Sequence, residues 1–265
     1  MGFAATDHTF AVCAYKESPY LRECVLSLLA QTVSTNILIA TSTPTDATRA
    51  IADEFGIPLF IRDGEPGICD DWNFAVSCAS TPLVTIAHQD DTYKPEYAER
   101  MLAGVNSCKH PLLYFTNYAE LRDGSEVSKN RLLAIKRMLL APLKDGRFSS
   151  SIFVRRRALS IGSSICCPSV TMVLPNVGVP VFVSSFKSNL DWDTWDRLSR
   201  LNGDYYYDSK ILMCHRVHDG SETSRLIKND VRTLEDVEML EHFWPKPLAR
   251  LINHFYAAGQ ASNAS

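Results

Sequence analysis

Apolar segments that alternate between strand-like and helix-like spacing constrain the fold of this chain most strongly. Short apolar runs at residues 10–14, 36–40, 57–61 and 83–87 predict four strands. Between them, apolar residues recur at helical spacing, and Ser18-Pro19 has the residue types that begin helices. This alternation predicts an α/β fold with a Rossmann-like, mostly parallel sheet and helices on both faces.

The second half of the chain is less regular. Its apolar pattern predicts strands at residues 112–116, 170–174, 179–184 and 205–217, and helices at 131–142, 191–201 and 230–258, the last of them interrupted at Pro245 and Pro247. No internal repeat or low-complexity linker interrupts it. We therefore expect a single domain over residues 1–225, with a first half at 1–105 and a second at 106–225, followed by a helical tail at 226–265.

Composition excludes several classes of protein. The chain has 265 residues, 46% of them hydrophobic, with 27 Lys and Arg against 30 Asp and Glu and a net charge of −3. A disordered chain would be less apolar, and a dedicated nucleic-acid binder would be basic. No apolar run approaches the length of a membrane-spanning helix, and the start has no long apolar core typical of a secretory signal. We expect a cytoplasmic protein that binds no nucleic acid.

The sharpest candidate site is His88-Gln89-Asp90-Asp91, which directly follows the fourth predicted strand. Ligands of open α/β sheets bind at the carboxyl ends of the strands. Two adjacent carboxylates repel each other unless a cation compensates, and a hard divalent cation accepts carboxylate oxygens. The pattern favours a metal site for substrate phosphates, although a solvated acidic turn has the same composition.

Two segments carry a resemblance to a known family. Residues 11–32, AVCAYKESPYLRECVLSLLAQT, and residues 81–102, TPLVTIAHQDDTYKPEYAERML, resemble the first strand and helix and the DXD-type motif of family 2 glycosyltransferases. Asp70-Asp71-Trp72-Asn73 stands where that family has a helix ending in Asn. The resemblance implies a GT-A fold. It also implies an inverting enzyme that transfers a sugar from a nucleoside-diphosphate sugar, UDP favoured, to a hydroxyl acceptor.

The resemblance implies a metal set and a catalytic base. Asp90 and Asp91 would hold Mn²⁺ or Mg²⁺, with Asp90 also contacting the donor, while His88 replaces the first carboxylate of the motif. Asp191 matches the family's general base, and Asp193 is the alternative. A simpler role for Asp191 is to stabilise the start of its helix.

The segment His215-Arg216-Val217-His218 is expected to close over the diphosphate. By resemblance, Arg216 would contact phosphate and His218 would reach the metal. If the segment is extended, Arg216 and His218 share one face while His215 lies on the other. A surface strand end is the alternative interpretation.

The nucleotide base is expected at the first strand ends. The resemblance implies donor contacts from Ala14, Tyr15 and Glu17, and from Arg62 after the third strand. Ser42 stands after the second strand, where the family usually has an Asp, so an acidic contact to the uridine is missing there. A hydroxyl could replace it, or the donor carries another base.

The acceptor is expected to be a cell-surface glycan or a lipid-linked precursor. The chain lacks the Gln-x-x-Arg-Trp signature of processive synthases, which implies a hexosyltransferase-type enzyme that makes single transfers. Two alternatives stay open: a sugar nucleotidyltransferase, and a catalytically silent protein that binds sugar nucleotides. The basic run 155–157 and the apolar tail also leave open a peripheral contact with the inner face of the membrane. The sequence fixes no oligomeric state.

Overall fold

The computed structural model describes residues 2–218 and 231–261. Its strands are β1 His8–Ala14, β2 Asn36–Thr41, β3 Leu59–Ile61, β4 Leu83–His88, β5 Thr92–Tyr93, β6 Pro111–Arg122, β7 Ser125–Val127, β8 Val170–Val173 and β9 Asp204–Val217. Its α-helices are α1 Leu21–Leu29, α2 Asp46–Phe55, α3 Ile68–Cys78, α4 Tyr97–Ser107, α5 Arg131–Leu140, α6 Ile152–Leu159, α7 Leu174–Val177, α8 Leu190–Leu198, α9 Val231–Glu241 and α10 Lys246–Ala261.

The described strands form one mostly parallel sheet in the order β3-β2-β1-β4-β8-β6-β9-β5, with β7 paired to β6. β1, β2, β3 and β4 run parallel, whereas β8 lies antiparallel between β4 and β6. One hydrophobic cluster packs α1 and α4 against the sheet, and a second packs α3 and α8 against it. The predicted α/β fold with helices on both faces is confirmed.

The strand predicted at residues 179–184 is wrong. Pro180 has no N–H to donate to a sheet, and the backbone of Phe182 is bonded to the Asn73 side chain. The amide of Asn73 donates to the Phe182 carbonyl at 2.6 Å and accepts from its N–H at 3.0 Å. Because a side chain satisfies these backbone groups, the segment stays irregular and is pinned to α3.

The tail forms two helices that pack on the domain. Met239 and Leu240 of α9 and Ala249 of α10 are fully buried in the same cluster as Trp192 and Trp195 of α8. The predicted break in the tail occurs before α10, which begins between Pro245 and Pro247. Among the described residues, no helix is long and apolar enough to cross a membrane.

Candidate active site

The loop after β4 is held against the loop after β1. Cys13 of β1 lies beside His88 of β4, so both strands end at the same edge of the sheet. The Gln89 side chain accepts from the Tyr15 N–H at 3.1 Å and donates to the Tyr15 carbonyl at 2.9 Å. Gln89 therefore fixes the backbone of the β1 loop while leaving the neighbouring carboxylates free for other contacts.

Strand pairing brings the end of β9 against the acidic pair. Thr92, which follows Asp91, pairs with Cys214, which precedes His215. As a result, Asp91 Oδ1 accepts from His215 Nδ1 at 3.0 Å and from the Arg216 N–H at 2.8 Å. Asp91 is fully buried, and its Oδ2 has no hydrogen-bond partner in the described residues.

His88 lies next to this unpartnered oxygen. Its Nδ1 is 3.8 Å from Asp91 Oδ2, and its ring stacks on Trp72 with a centroid distance of 5.2 Å. Trp72 also packs edge-on against Phe182, so the ring of His88 is held from the side of α3. The buried His88 Nε2 has no hydrogen-bond partner among the described residues.

These residues fit a divalent cation. Each of His88, Asp90 and Asp91 offers a ligand atom, and the three atoms lie within 4.8 Å of one another. An unpaired buried carboxylate oxygen costs free energy, and a cation at this position would remove that cost. The other oxygen of Asp91, Oδ1, is already held by His215. In metal sites, residues outside the ligand shell orient the ligands in this way.

Asp90 joins the loop to His218 and Arg216. Asp90 Oδ2 accepts from His218 Nε2 at 3.0 Å, and the Asp90 carbonyl accepts from Arg216 Nε at 2.8 Å. Arg216 also donates to Glu23 at 2.6 Å and stacks on the ring of Tyr20, which contacts His218 as well. The expectation that Arg216 and His218 share one face is therefore confirmed.

The carboxylates set the protonation of the site. Burial opposes a charge on His215, but Asp91 and Asp90 outweigh it and raise the pKa of His215 to about 9. Burial also raises the pKa of Asp90, yet the charges of His88 and His215 and the bond from His218 bring that pKa below its usual value. At neutral pH, His215 is thus a cation that donates to Asp91, and Asp90 is ionised.

A second polar cluster occupies the ends of β2 and β3. Asp71 of α3 accepts from Arg62 Nε at 2.8 Å and from Ser42 Oγ at 3.0 Å. The Gly67 N–H also donates to Asp71, at 3.2 Å. The family usually has an Asp after β2, and this chain has Ser42 there; an acid from α3, Asp71, lies beside Ser42 instead. Asp71 thus contacts both Ser42 and Arg62, which are predicted to contact the donor.

The remaining residues expected on the donor side lie around the β1 loop. Ala14 is buried at the strand end, whereas Tyr15 and Glu17 are exposed. The N–H of Lys16, between them, donates to Thr43 at 2.6 Å, which ties this loop to the end of β2. The β1 loop, residues 15–20, therefore lies at the same edge of the sheet as the cluster of Ser42, Arg62 and Asp71, which we call the Ser42 cluster.

The structure separates the two candidate bases. Burial raises the pKa of the Cys166 and Cys167 thiols, and the negative charges of Asp91 and Asp191 add to that rise at both cysteines. Asp193 faces α9 instead, with its carboxylate 3.9 Å from His242 Nδ1.

The start of α8 is held by the tail. The Glu235 carboxylate of α9 accepts from the N–H groups of Lys187, Ser188 and Asn189 at 2.7–3.1 Å. These donors directly precede α8, and N–H groups at the start of a helix lack partners within the helix. The tail therefore fixes the position of Asp191, two residues further on.

The family of the chain follows from a comparison with known protein families. The model of glycosyl transferase family 2 matches residues 9–171, which is more than half of the chain. The chain is a family 2 glycosyltransferase. The match includes the metal group and the Ser42, Arg62 and Asp71 cluster, whereas α8 and the end of β9 lie beyond it.

Solved structures show the same fold. The glycosyltransferase has a TM-score of 0.63 to S. aureus TarS 1-349 in complex with UDP-GlcNAc, at 16% identity over 95% of this chain and 73% of that chain. The score is also 0.63 to the mannosyltransferase PcManGT from Pyrobaculum calidifontis in complex with GDP-Man and Mn²⁺, at 12% identity over 98% and 76%. Glucosyl-3-phosphoglycerate synthase from Mycobacterium tuberculosis, in complex with Mn²⁺, UDP and phosphoglyceric acid, gives 0.52 at 14% identity over 84% and 76%.

The chain spans 42% of the longer TarS chain, at 15% identity and a TM-score of 0.59. No curated protein matched the sequence. At these identities, the structural likeness shows the fold alone.

Several contacts around the candidate site were not expected from the sequence. His215 contacts Asp91 through the pairing of β5 with β9, and β5 is too short to have a pattern of its own. Asp71 and Glu235 act through contacts that span 29 and 46–48 residues of sequence. Only the adjacency of Asp70-Asp71 to the expected Asn motif could have drawn attention to Asp71.

Proposed function

We propose that this glycosyltransferase moves a sugar from a nucleoside-diphosphate sugar, UDP favoured, to a hydroxyl acceptor with inversion of configuration. The observation that carries the proposal is the unpartnered Oδ2 of buried Asp91 beside the unpartnered Nε2 of His88. Polar atoms of this kind are rare in folded proteins and call for a ligand. The structures of relatives with Mn²⁺ and nucleotide sugars support the same class of ligand.

His88, Asp90 and Asp91 would hold Mn²⁺ or Mg²⁺. A bound divalent cation neutralises the charge that develops on a leaving diphosphate, without a proton transfer. His215 and the Arg216 N–H hold one oxygen of Asp91, so the other faces the ligand. His218 contacts Asp90 in a similar way, which supports a role as the partner of a metal ligand.

The donor nucleoside would lie between the β1 loop and the Ser42 cluster. Ala14 offers a backbone group at the strand end and Tyr15 an exposed side chain, while Ser42 and Arg62 offer a hydroxyl and a guanidinium. Asp71 holds both of those side chains, so it positions them for the base or the ribose. Arg216 is already committed to Glu23 and the Asp90 carbonyl, which supports a role in holding the loop.

Asp191 is the proposed general base. It would take the proton of the acceptor hydroxyl while that oxygen attacks the anomeric carbon from the face opposite the diphosphate. Attack from the opposite face inverts the configuration. The effect that the charges of both Asp191 and Asp91 have on the pKa of Cys166 and Cys167 supports this role, whereas the proximity of Asp193 to His242 argues against Asp193.

The proposed acceptor is a cell-surface glycan or a lipid-linked precursor, which would receive the sugar on the cytoplasmic side. No observation favours a nucleotidyltransferase, because the β1 loop, residues 15–20, contains no glycine to cradle phosphates. Because His88 replaces a carboxylate of the family's motif, the alternative to the proposed activity is a protein that binds sugar nucleotides without catalysis.

A donor-turnover assay tests the proposal. Wild type is incubated with UDP-sugars or GDP-sugars and Mn²⁺, and nucleoside diphosphate release is measured with and without hydroxyl acceptors. We expect release that requires the metal and falls at least about a hundredfold in Asp91→Asn. Asp46→Asn, at an exposed position on α2, serves as the matched control.

The rival makes a different prediction. A silent protein would bind the nucleotide and show no turnover with any donor, in wild type and in both variants. That result would overturn the proposed catalysis while leaving the binding site intact.

A further inference from the structure

One segment of the chain is strongly basic. Residues 129–157 contain nine of the chain's 27 Lys and Arg residues, and Asp145 is their one acid among 30 in the chain. The whole chain carries a net charge of −3, so this segment is opposite in sign to the rest. It comprises α5 and α6 and the connection between them.

The outer face of α5 combines one of these cations, Arg131, with exposed apolar side chains. Arg131, Ile135 and Met138 are spaced four and three residues apart, which places them on one side of the helix. Met138 is 66% exposed and Ile135 is 38% exposed. Leu133 and Leu140 are buried on the inner side, so the apolar residues of the outer face are not needed for the core.

A shallow groove joins α5 to α6. Met138, Pro142, Phe153 and Arg157 are among the residues lining it, and its volume is about 300 Å³. Phe153 is 69% exposed, and Arg157 lies over its ring at 5.4 Å from the centroid. Arg131, Ile135, Met138, Pro142, Phe153 and Arg157 together form what we term the basic apolar surface.

We propose that the basic apolar surface docks the protein onto an anionic lipid bilayer. A bilayer offers apolar chains for Ile135, Met138 and Phe153 and negative headgroups for Arg131 and Arg157 at the same time. The near absence of acids from the segment provides the charge complementarity, since an anionic headgroup layer repels carboxylates. The surface lies outside the catalytic arrangement, so this proposal extends the proposed function and does not depend on it.

The position of α5 gives this surface a consequence for the site. On its inner side, Lys136 Nζ donates to the Tyr118 hydroxyl at 3.0 Å, and the Tyr118 ring lies 6.4 Å from the ring of His215. One helix therefore separates the bilayer from the residues around Asp91. A membrane-bound enzyme in this orientation would meet a lipid-linked acceptor without a soluble carrier.

Vesicle sedimentation tests the docking. The whole protein is mixed with vesicles of phosphatidylcholine alone or of equal parts phosphatidylcholine and phosphatidylglycerol. We expect binding to the anionic vesicles alone, weakened by high salt. Arg131→Gln with Arg157→Gln should lower the partition coefficient about 25-fold, at about fivefold for each lost cation. Met138→Glu with Phe153→Glu should abolish the binding.

Controls of the same chemistry lie elsewhere on the surface. Arg49→Gln on α2 and Leu29→Glu on α1 change exposed residues of the same types and should bind like wild type. Circular dichroism establishes that each variant is folded. No binding of wild type to anionic vesicles would overturn the proposal, as would equal losses in the control variants. Self-association through these residues without lipid binding would also overturn it. Since sedimentation needs no donor or turnover, its failure is distinct from failure of the proposed catalysis.

Discussion

Asp191 and Asp193 stand two residues apart on α8 and have different surroundings. The charges of Asp191 and Asp91 both raise the pKa of Cys166 and Cys167, whereas Asp193 lies 3.9 Å from His242. Residues two apart on a helix point in nearly opposite directions. We therefore expect the Asp191 carboxylate to serve the proposed site and the Asp193 carboxylate to face the α9 side.

This difference predicts unequal effects of two matched substitutions. Asp191→Asn removes the proposed base and should lower kcat by about 10² to 10⁴-fold, with little change in the KM of the donor. Asp193→Asn should keep kcat near the wild-type value. Steady-state kinetics of sugar transfer measure both. Equal losses, or a larger loss in Asp193→Asn, would contradict the assignment.

His8 predicts a pH dependence that is separate from catalysis. It is fully buried on β1, with Thr35 at 3.1 Å and Thr85 at 2.9 Å, and burial lowers its pKa from 6.5 to about 3. Below pH 6.5, His8 binds a proton in the unfolded chain but stays neutral in the folded protein. The free energy of unfolding should therefore fall, by up to about 1.4 kcal/mol for each pH unit, as pH drops from 6.5 toward 3.

The variant His8→Gln tests this contribution. Glutamine is polar and does not titrate, so urea unfolding of the variant should depend less on pH between 6.5 and 4 than that of wild type. The comparison uses the difference in slope, because other groups titrate equally in both proteins. Identical slopes would show that His8 is not buried in its neutral form.

At the level of elements, the tail helix α9 supports the start of α8. Glu235→Gln removes the charge that accepts three N–H groups at that start, and we expect a loss of about 1 kcal/mol in the free energy of unfolding. Because Asp191 follows directly, kcat should fall as well, while the KM of the donor stays close to wild type. Denaturant unfolding and transfer kinetics measure the two effects.

The same helix supplies the control. Glu238 is exposed on α9, so Glu238→Gln makes the same chemical change away from α8. It should leave stability and kcat near their wild-type values. If both variants behave alike, α9 does not position α8 in the way its contacts indicate.

Sequence predicted the elements whose patterns are local. β1 to β4 alternate with helices in a regular order, and each is a clear apolar run, so the fold of residues 1–105 was predictable. Between residues 149 and 190 the strand β8 was predicted, but the rest was not, because its course depends on distant partners. Asn73 satisfies the backbone of Phe182, and α6 is a short helix with a weak pattern.

The site divides in the same way. Asp90 and Asp91 follow a buried strand directly, so their location could be predicted from sequence alone. The partners that orient them could not, because His215 reaches Asp91 across 124 residues and Asp71 reaches Ser42 across 29. Alternation along β9 assigned His215 to the face away from Arg216 and gave no hint of its contact with Asp91.

The whole molecule separates charge by region. The carboxylates of Asp71, Asp90 and Asp91 lie at one edge of the sheet. The basic apolar surface, which lies on the other side of α5, carries exposed arginines. A total charge of −3 conceals both regions. The central claim is that the acidic edge binds a nucleoside diphosphate through a divalent cation.

Thermal unfolding with nucleotides tests this claim most directly. Wild type and Asp91→Asn are each unfolded with UDP or GDP, with and without Mn²⁺. A ligand at about 100 times its dissociation constant stabilises the native state by about 2.7 kcal/mol, which raises Tm by roughly 5–10 °C. We predict a rise of this size in wild type, with nucleotide and metal together, and none in Asp91→Asn. A wild-type Tm that no combination of nucleotide and metal changes would contradict the account.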